Sequence, residues 1–308
     1  MKKTILIIIA VLAGLILINS LLTDRAPKGS ENETDKLVVL STFTIISDMV
    51  SEVGGDRIEA ISLTKPGAEI HAYQPTPNDL IQASKANIMF ENGMNLELWT
   101  EKLRASIPDV PIFTVSDGVE INYITEDIYE GKPNPHAWMS PQQGLIYVEN
   151  IRRELTAADP SNAQYFAANA ATYSERIKAV DTRLAKALSV LPANNRVLVT
   201  CEGAFSYLTN DYGLEELYLW AINSESQGSP QKIAHVIEEV KAKQIPAVFC
   251  ESTVEPKVQR EVVEATGATL GGVLYVDSLS TIDGPASTYI DLLEHTANTI
   301  ITGLTGNQ

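Results

Sequence analysis

Residues 159–191 read DPSNAQYFAANAATYSERIKAVDTRLAKALSVL. Asp159-Pro160-Ser161 opens the stretch with a capping side chain followed by a proline, the chemistry of a helix start. Tyr165, Phe166, Ala170, Tyr173, Ile177, Val180, Leu184 and Leu188 then recur at intervals of three or four residues, which is one face of an amphipathic helix. A helix over 159–191 spans roughly 45 Å at 1.5 Å per residue, more than a crossover within one compact lobe needs. On both sides of it short apolar runs alternate with helical patterns. Strands are predicted at 36–42, 58–63, 87–90 and 111–115 before it, and at 196–200, 216–221, 247–250 and 272–276 after it. Helices are predicted at 45–53, 76–85, 99–106, 140–157, 204–212, 229–243, 255–266 and 287–304. The expected fold is α/β: two lobes, 36–158 and 192–308, with mostly parallel sheets flanked by helices and joined by one long rigid helix.

The 308 residues suffice for two such lobes. Apolar content of 44% with 20% charged residues fits a folded globular chain. A formal net charge of −16 argues against nucleic acid and anionic membrane surfaces as partners, and favours cations diffusely.

Met1-Lys2-Lys3 precedes an apolar run from Ile5 to Ile18, the pattern of a secretory signal. With Leu21 and Leu22 the run approaches membrane-spanning length, so 1–22 is expected to be a signal peptide or an N-terminal anchor. Leu12-Ala13-Gly14 resembles the start of a lipoprotein acylation box, but Leu15 stands where the acylated cysteine belongs, so no lipid attaches there. Residues 23–35 are polar and read as a tether. Export gives meaning to the two cysteines, Cys201 in RVLVTCEG and Cys250 in IPAVFCES. They end two apolar runs that read as neighbouring strands of one sheet, and in an oxidising compartment a disulfide is expected rather than two buried thiols.

Ligands of parallel α/β sheets bind beyond the carboxyl ends of the strands. Candidates there are His71 in PGAEIHAYQPTP, Glu202 in TCEG, Glu251 in FCES and Asp277 in LYVDSLS, with His136 in NPHAWMSP before a helix start. Two of the four histidines thus lie in Pro-bracketed turns, while His235 and His295 sit at helical spacing and read as structural. A metal site of His71, His136 and one or two carboxylates is the expectation, with Glu202 and Glu251 not separated by spacing. The sequence contains no HExxH, no GxSxG and no phosphate-binding glycine loop, and Gly271-Gly272 reads as a turn. Trp138 and Tyr73 are expected to pack around the histidines.

Taken together, PGAEIHAYQPTPNDL at 66–80, NPHAWMSP at 134–141, TCEGAFSYL at 200–208 and LYVDSLS at 274–280 resemble the metal-binding solute-binding proteins of bacterial ABC transporters, the zinc/manganese cluster. The resemblance covers nearly all of the chain after the N-terminal segment. It implies one metal held between two lobes by four ligands, which fall on His71, His136, Glu202 and Asp277. It also implies a monomer that delivers its ion to a membrane permease with an ATPase, outside the cytoplasm and without catalysis. Glu69, Ile70 and Ala72 stand where the family often has Asp-Pro and an acidic residue around the first histidine. The cysteine-bearing TCEGAFSYL and FCEST resemble the manganese-binding members in particular. Two imidazoles with two carboxylates and no thiolate suit Mn²⁺, with Zn²⁺ or Fe²⁺ as alternatives. An exported metallohydrolase and an adhesin are the competing classes.

Overall fold

Among the described residues, eight short strands paired in parallel, with helices crossing between them, account for the architecture. The structure is a computed structural model that describes residues 36–192, 195–223 and 228–306. The expected signal or anchor and the tether, 1–35, lie outside the described residues. In the first half β1 (Leu37–Ser41), β2 (Ile58–Ser62), β3 (Ile88–Glu91) and β4 (Ile112–Thr114) form one parallel sheet in the order β2-β1-β3-β4. Helices α1 (Thr44–Gly54), α2 (Pro77–Ala83), α3 (Thr100–Ser106) and α4 (Pro141–Ala158) connect and flank it. Their starts follow local chemistry: Thr76 and Asp79 form a reciprocal capping box ahead of Pro77, and Ser140 caps the helix begun by Pro141.

The long helix begins later than its sequence suggests. Asp159 accepts from the Ser161 amide and hydroxyl, which winds Pro160–Asn162 into a single tight turn before α5 (Ala163–Ser189) starts. All the apolar positions read from its sequence except the half-buried Tyr165 are buried.

In the second half β5 (Val197–Glu202) pairs in parallel with β6 (Glu215–Trp220), and β7 (Ala247–Glu251) with β8 (Thr269–Leu274). Around them lie α6 (Ser206–Tyr212), α7 (Pro230–Lys243), α8 (Lys257–Thr266) and α9 (Tyr289–Thr305). The expectation of one sheet is refined here, because the described ladders are β5–β6 and β7–β8, with no ladder recorded between β5 and β7. Side chains close that seam. Cys201 and Cys250 form a disulfide with Cα atoms 5.0 Å apart, and the buried Gln259 amide donates to Phe249 O of β7 at 2.6 Å and reaches Val199 O of β5 at 3.5 Å.

Gly271-Gly272 is not a turn: both lie inside β8. A Cβ on Gly271 would stand 2.5 Å from the Phe249 ring, and Gly272, at φ +138°, would bring one to 2.6 Å from Thr299. The glycines let the strand lie close against Phe249 and α9.

One buried cluster runs from Val39 and Phe43 through Leu184 to Leu274 and Ile300, so the two halves share a core along α5. Polar contacts reinforce that junction. Asp48 of α1 accepts from the Tyr289 amide at the start of α9 (2.9 Å) and from the Tyr173 hydroxyl of α5 (3.3 Å). Burial pushes its carboxyl up to about 6, against the pull of the Tyr289 amide. A raised acid pKa means that folding favours the protonated form. The stabilising contribution is therefore complete below the ordinary value of 3.8 and disappears as pH rises through about 6. Asp48→Asn keeps an acceptor without the charge. We expect it to raise stability at pH 7 by on the order of 2 kcal/mol, and to flatten the change between pH 4 and 6 in urea titrations. An equal or lower stability at pH 7 would contradict this.

Candidate metal centre

His71 follows β2 in a turn, and His136 begins the single-turn helix Ala137–Met139. Glu202 ends β5, and Asp277 lies just beyond β8. These four residues, two from each half, bring one ligand-capable atom each to within 4.8 Å of one another. The two imidazole Nε2 atoms are 3.1 Å apart. Glu202 Oε1 lies 3.3 and 3.5 Å from those of His71 and His136, and Asp277 Oδ1 lies 3.8 and 3.7 Å from them. Donors at about 2.1 Å from one ion in a tetrahedron stand about 3.4 Å apart, which is the scale of these separations. The His71 side chain is 7% exposed and the other three are 0% exposed.

The tautomer of His136 follows from its partners. Asn134 Nδ2 donates to Gly203 O at 2.6 Å, because a carbonyl only accepts. Asn134 Oδ1 therefore faces His136, and accepts from its backbone amide at 3.1 Å and from its Nδ1–H at 2.8 Å. That leaves the His136 Nε2 lone pair aimed at the shared point. Burial, and then the His71 ring, hold the His136 imidazole well below its ordinary pKa, so it stays neutral. Burial and the Asp277 charge push the Glu202 carboxyl well above the carboxylate range. Glu202 Oε2 and Asp277 Oδ1 are buried without a hydrogen-bond partner. Lone pairs this close repel unless a cation or a shared proton lies among them.

The NPHAW segment also clasps the flanks of both carboxylates. Asn134 bonds Gly203 O, next to Glu202, and Trp138 Nε1 donates to Val276 O, next to Asp277, at 3.0 Å. Trp138 is fully buried, with its ring centroid 5.1 Å from Phe43 and 5.2 Å from His136. Tyr73 packs on Trp99 and donates to Asp79.

Glu251 is separated from Glu202 by the fold. It is buried behind the site, where its Oε2 accepts from the Glu202 amide at 3.2 Å, and burial followed by the Glu202 charge pushes its carboxyl up. Its other close neighbours are Cys201 and Cys250, whose sulfurs are committed to the disulfide. His235 is exposed on α7, and His295 on α9 bonds Val273 O at 2.9 Å. Asn134, Asn223 and Thr253, which hydrogen-bond His136, Glu202 and Asp277, carry no signal in sequence beyond the position of Asn134 beside Pro135.

The sequence pattern of a family described as "Zinc-uptake complex component A periplasmic" matches residues 39–303. The chain belongs to this family. It is the metal-binding, substrate-binding component of an ABC metal importer. It is 50% identical over 287 residues to the iron-binding protein YfeA of Yersinia pestis, covering 92% of each chain. It is 32% identical over 282 residues to the manganese ABC transporter substrate-binding lipoprotein PsaA of Streptococcus pneumoniae, covering 89% of this chain and 91% of the relative. A solved Mn-bound periplasmic metal binding protein from Candidatus Liberibacter asiaticus superimposes with a TM-score of 0.82 at 41% identity, over 87% of this chain and 100% of that one. The family is that of a transporter's binding component. Among the described residues no helix is long and apolar enough to cross a membrane.

Proposed function

We propose that the binding protein captures Mn²⁺ outside the cytoplasm, holds it with His71, His136, Glu202 and Asp277, and passes it as a monomer to a permease driven by an ATPase. The observation that carries this reading is the convergence of two imidazole nitrogens and two buried carboxylates from opposite halves of the chain. The set has no thiolate, and Glu202 keeps an unpartnered second oxygen, which suits an ion that accepts more than four ligands. Ligands exposed by 7% or less enclose a cargo rather than present it to a reactant. In this reading 36–158 and 192–308 are the lobes and 159–191 is their link. The N-terminus directs export, and Leu15 in place of a cysteine leaves an apolar anchor or a cleaved signal, not a lipid.

Fe²⁺ is the second reading, favoured by the 50% identity to a protein named for iron binding. Mn²⁺ and Fe²⁺ are neighbours in affinity order and share a taste for mixed nitrogen and oxygen sites. Metal content of the protein purified from its own host, followed by anaerobic competition among Mn²⁺, Fe²⁺ and Zn²⁺, decides between them. A preparation that takes up none of these ions in stoichiometric amount would end the proposal.

Glu202→His turns the set into three imidazoles and one carboxylate. We expect the ratio of Zn²⁺ to Mn²⁺ affinity to rise by about tenfold or more, since imidazole suits zinc and carboxylate suits manganese. An unchanged ratio in direct competition would remove Glu202 from the ligand set.

A further inference from the structure

Both carboxylates of the second half meet the same residue, Asn223, which is 5% exposed. The β5–β6 register sets Glu202 opposite Trp220, and Asn223 lies three residues further along. The Asn223 backbone amide donates to Glu202 Oε1 at 2.5 Å. Its side-chain Nδ2 donates to Asp277 Oδ2 at 3.0 Å. The orientation of that amide is fixed from behind, because Trp220 Nε1 is a donor only and reaches Asn223 Oδ1 at 2.8 Å. Thr253 Oγ1 adds a second donor to Asp277 Oδ2 at 3.2 Å.

The consequence is unequal for the two carboxylates. Asp277 has one oxygen occupied by donors and one, Oδ1, buried, unpartnered and aimed at the histidines. Glu202 has Oε1 near both imidazoles and Oε2 without a partner. We propose that Asn223 is a positioning residue that determines metal specificity: it restricts Asp277 to one coordinating oxygen, because Oδ2 is taken by two donors, while it anchors Glu202 by a single bond to Oε1 and leaves Oε2 without a partner. This rests on the four-ligand reading above.

Specificity must here come from geometry, because intrinsic affinity places Zn²⁺ above Mn²⁺ and Fe²⁺. A ligand set loosened by loss of Asn223 returns towards that intrinsic order. Residues that orient metal ligands change affinity by about 10–100-fold when removed. Mn²⁺ and Zn²⁺ affinities of the full chain carrying Asn223→Ala, Asn223→Asp or Trp220→Phe test the assignment, together with the electron paramagnetic resonance spectrum of the Mn²⁺ form. Asn223→Asp retains the acceptor for Trp220 and loses the donor to Asp277. Trp220→Phe retains the asparagine and frees its amide to turn.

The expected result is a loss of Mn²⁺ affinity of about 10–100-fold in both Asn223 variants. The loss for Zn²⁺ is smaller, so the Zn²⁺/Mn²⁺ ratio rises. The Mn²⁺ spectrum broadens, and Trp220→Phe shows a lesser shift in the same direction. Equal losses for both metals with an unchanged spectrum, or no loss, would overturn the assignment; circular dichroism of the metal-free variants identifies any that fail to fold, and Trp220→Phe then carries the test. His136→Ala measured alongside separates the two levels. If it binds like the wild type, the ligand set itself is wrong. If it loses binding while the Asn223 and Trp220 variants do not, only the role of Asn223 falls.

Discussion

Replacing His136 by alanine is expected to lower metal affinity by two to three orders of magnitude. Structural Zn²⁺ in zinc-finger peptides is bound by roughly 10–16 kcal/mol, and one ligand's share of such a four-ligand set is about 2.5–4 kcal/mol. His136 is the natural choice among the four because it is fully buried, neutral and locked in one tautomer by Asn134. The shortened side chain also leaves Glu202 and Asp277 with a weaker claim on the ion. Titration calorimetry with Mn²⁺ reads the loss directly, and His235→Ala on the exposed face of α7 serves as the control with unchanged affinity. An affinity of His136→Ala within a few-fold of the wild type would mean that the convergence of these four side chains is not the binding site.

The second large effect is expected from removing the disulfide. Cys201 and Cys250 are 49 residues apart in sequence and join strands that share no recorded ladder. Loss of such a cross-link destabilises by about 2–5 kcal/mol. For a chain of this size that corresponds to a melting temperature lower by roughly 5–15 °C. The cross-link also lies directly behind the metal centre. Cys201 immediately precedes Glu202, and Cys250 immediately precedes Glu251, whose carboxyl accepts from the Glu202 amide. We therefore expect the Cys201→Ser/Cys250→Ser double variant, studied well below its melting point, to bind Mn²⁺ about tenfold more weakly, in the range for residues that support a ligand. A lower melting temperature with unchanged affinity would limit the disulfide to a stabilising role. An unchanged melting temperature would mean that Gln259 and the surrounding core hold the seam alone.

Much of this fold was legible because its signals are local. Thr76-Pro77, Ser140-Pro141 and Ser229-Pro230 each mark a helix start, and the structure caps each helix with that hydroxyl. Apolar runs such as VLVTCE become fully buried strands. The features that depart from the sequence expectation are non-local. Gly271-Gly272 looked like a turn because two glycines in sequence say nothing of Phe249 and Thr299, which press on the strand from other elements. The seam between β5 and β7 reads as one sheet because two cysteines ending apolar runs look the same from sequence whether or not backbone bonds run beside them.

The site divides in the same way. The sequence by itself determined the histidine turns, the carboxylates beyond strand ends, and the family pattern that ties them to a metal importer. These are properties of residue type, spacing and turn chemistry, and they survive without coordinates. Spacing alone leaves Glu202 and Glu251 unseparated; the family resemblance points to Glu202, and the tertiary structure supplies the physical reason. Glu202 and Glu251 end adjacent strands with the same chemistry, and the packing turns one carboxyl towards the histidines and the other behind its backbone. Tertiary structure likewise brought in Asn223, which matches no motif. Its proposed role rests on a strand register that sets Trp220 across from Glu202, three residues before Asn223, and on that tryptophan fixing which way the asparagine amide faces. A candidate metal centre assembled from two halves is a statement about distances between segments far apart in the chain, and distance is what a linear sequence does not record.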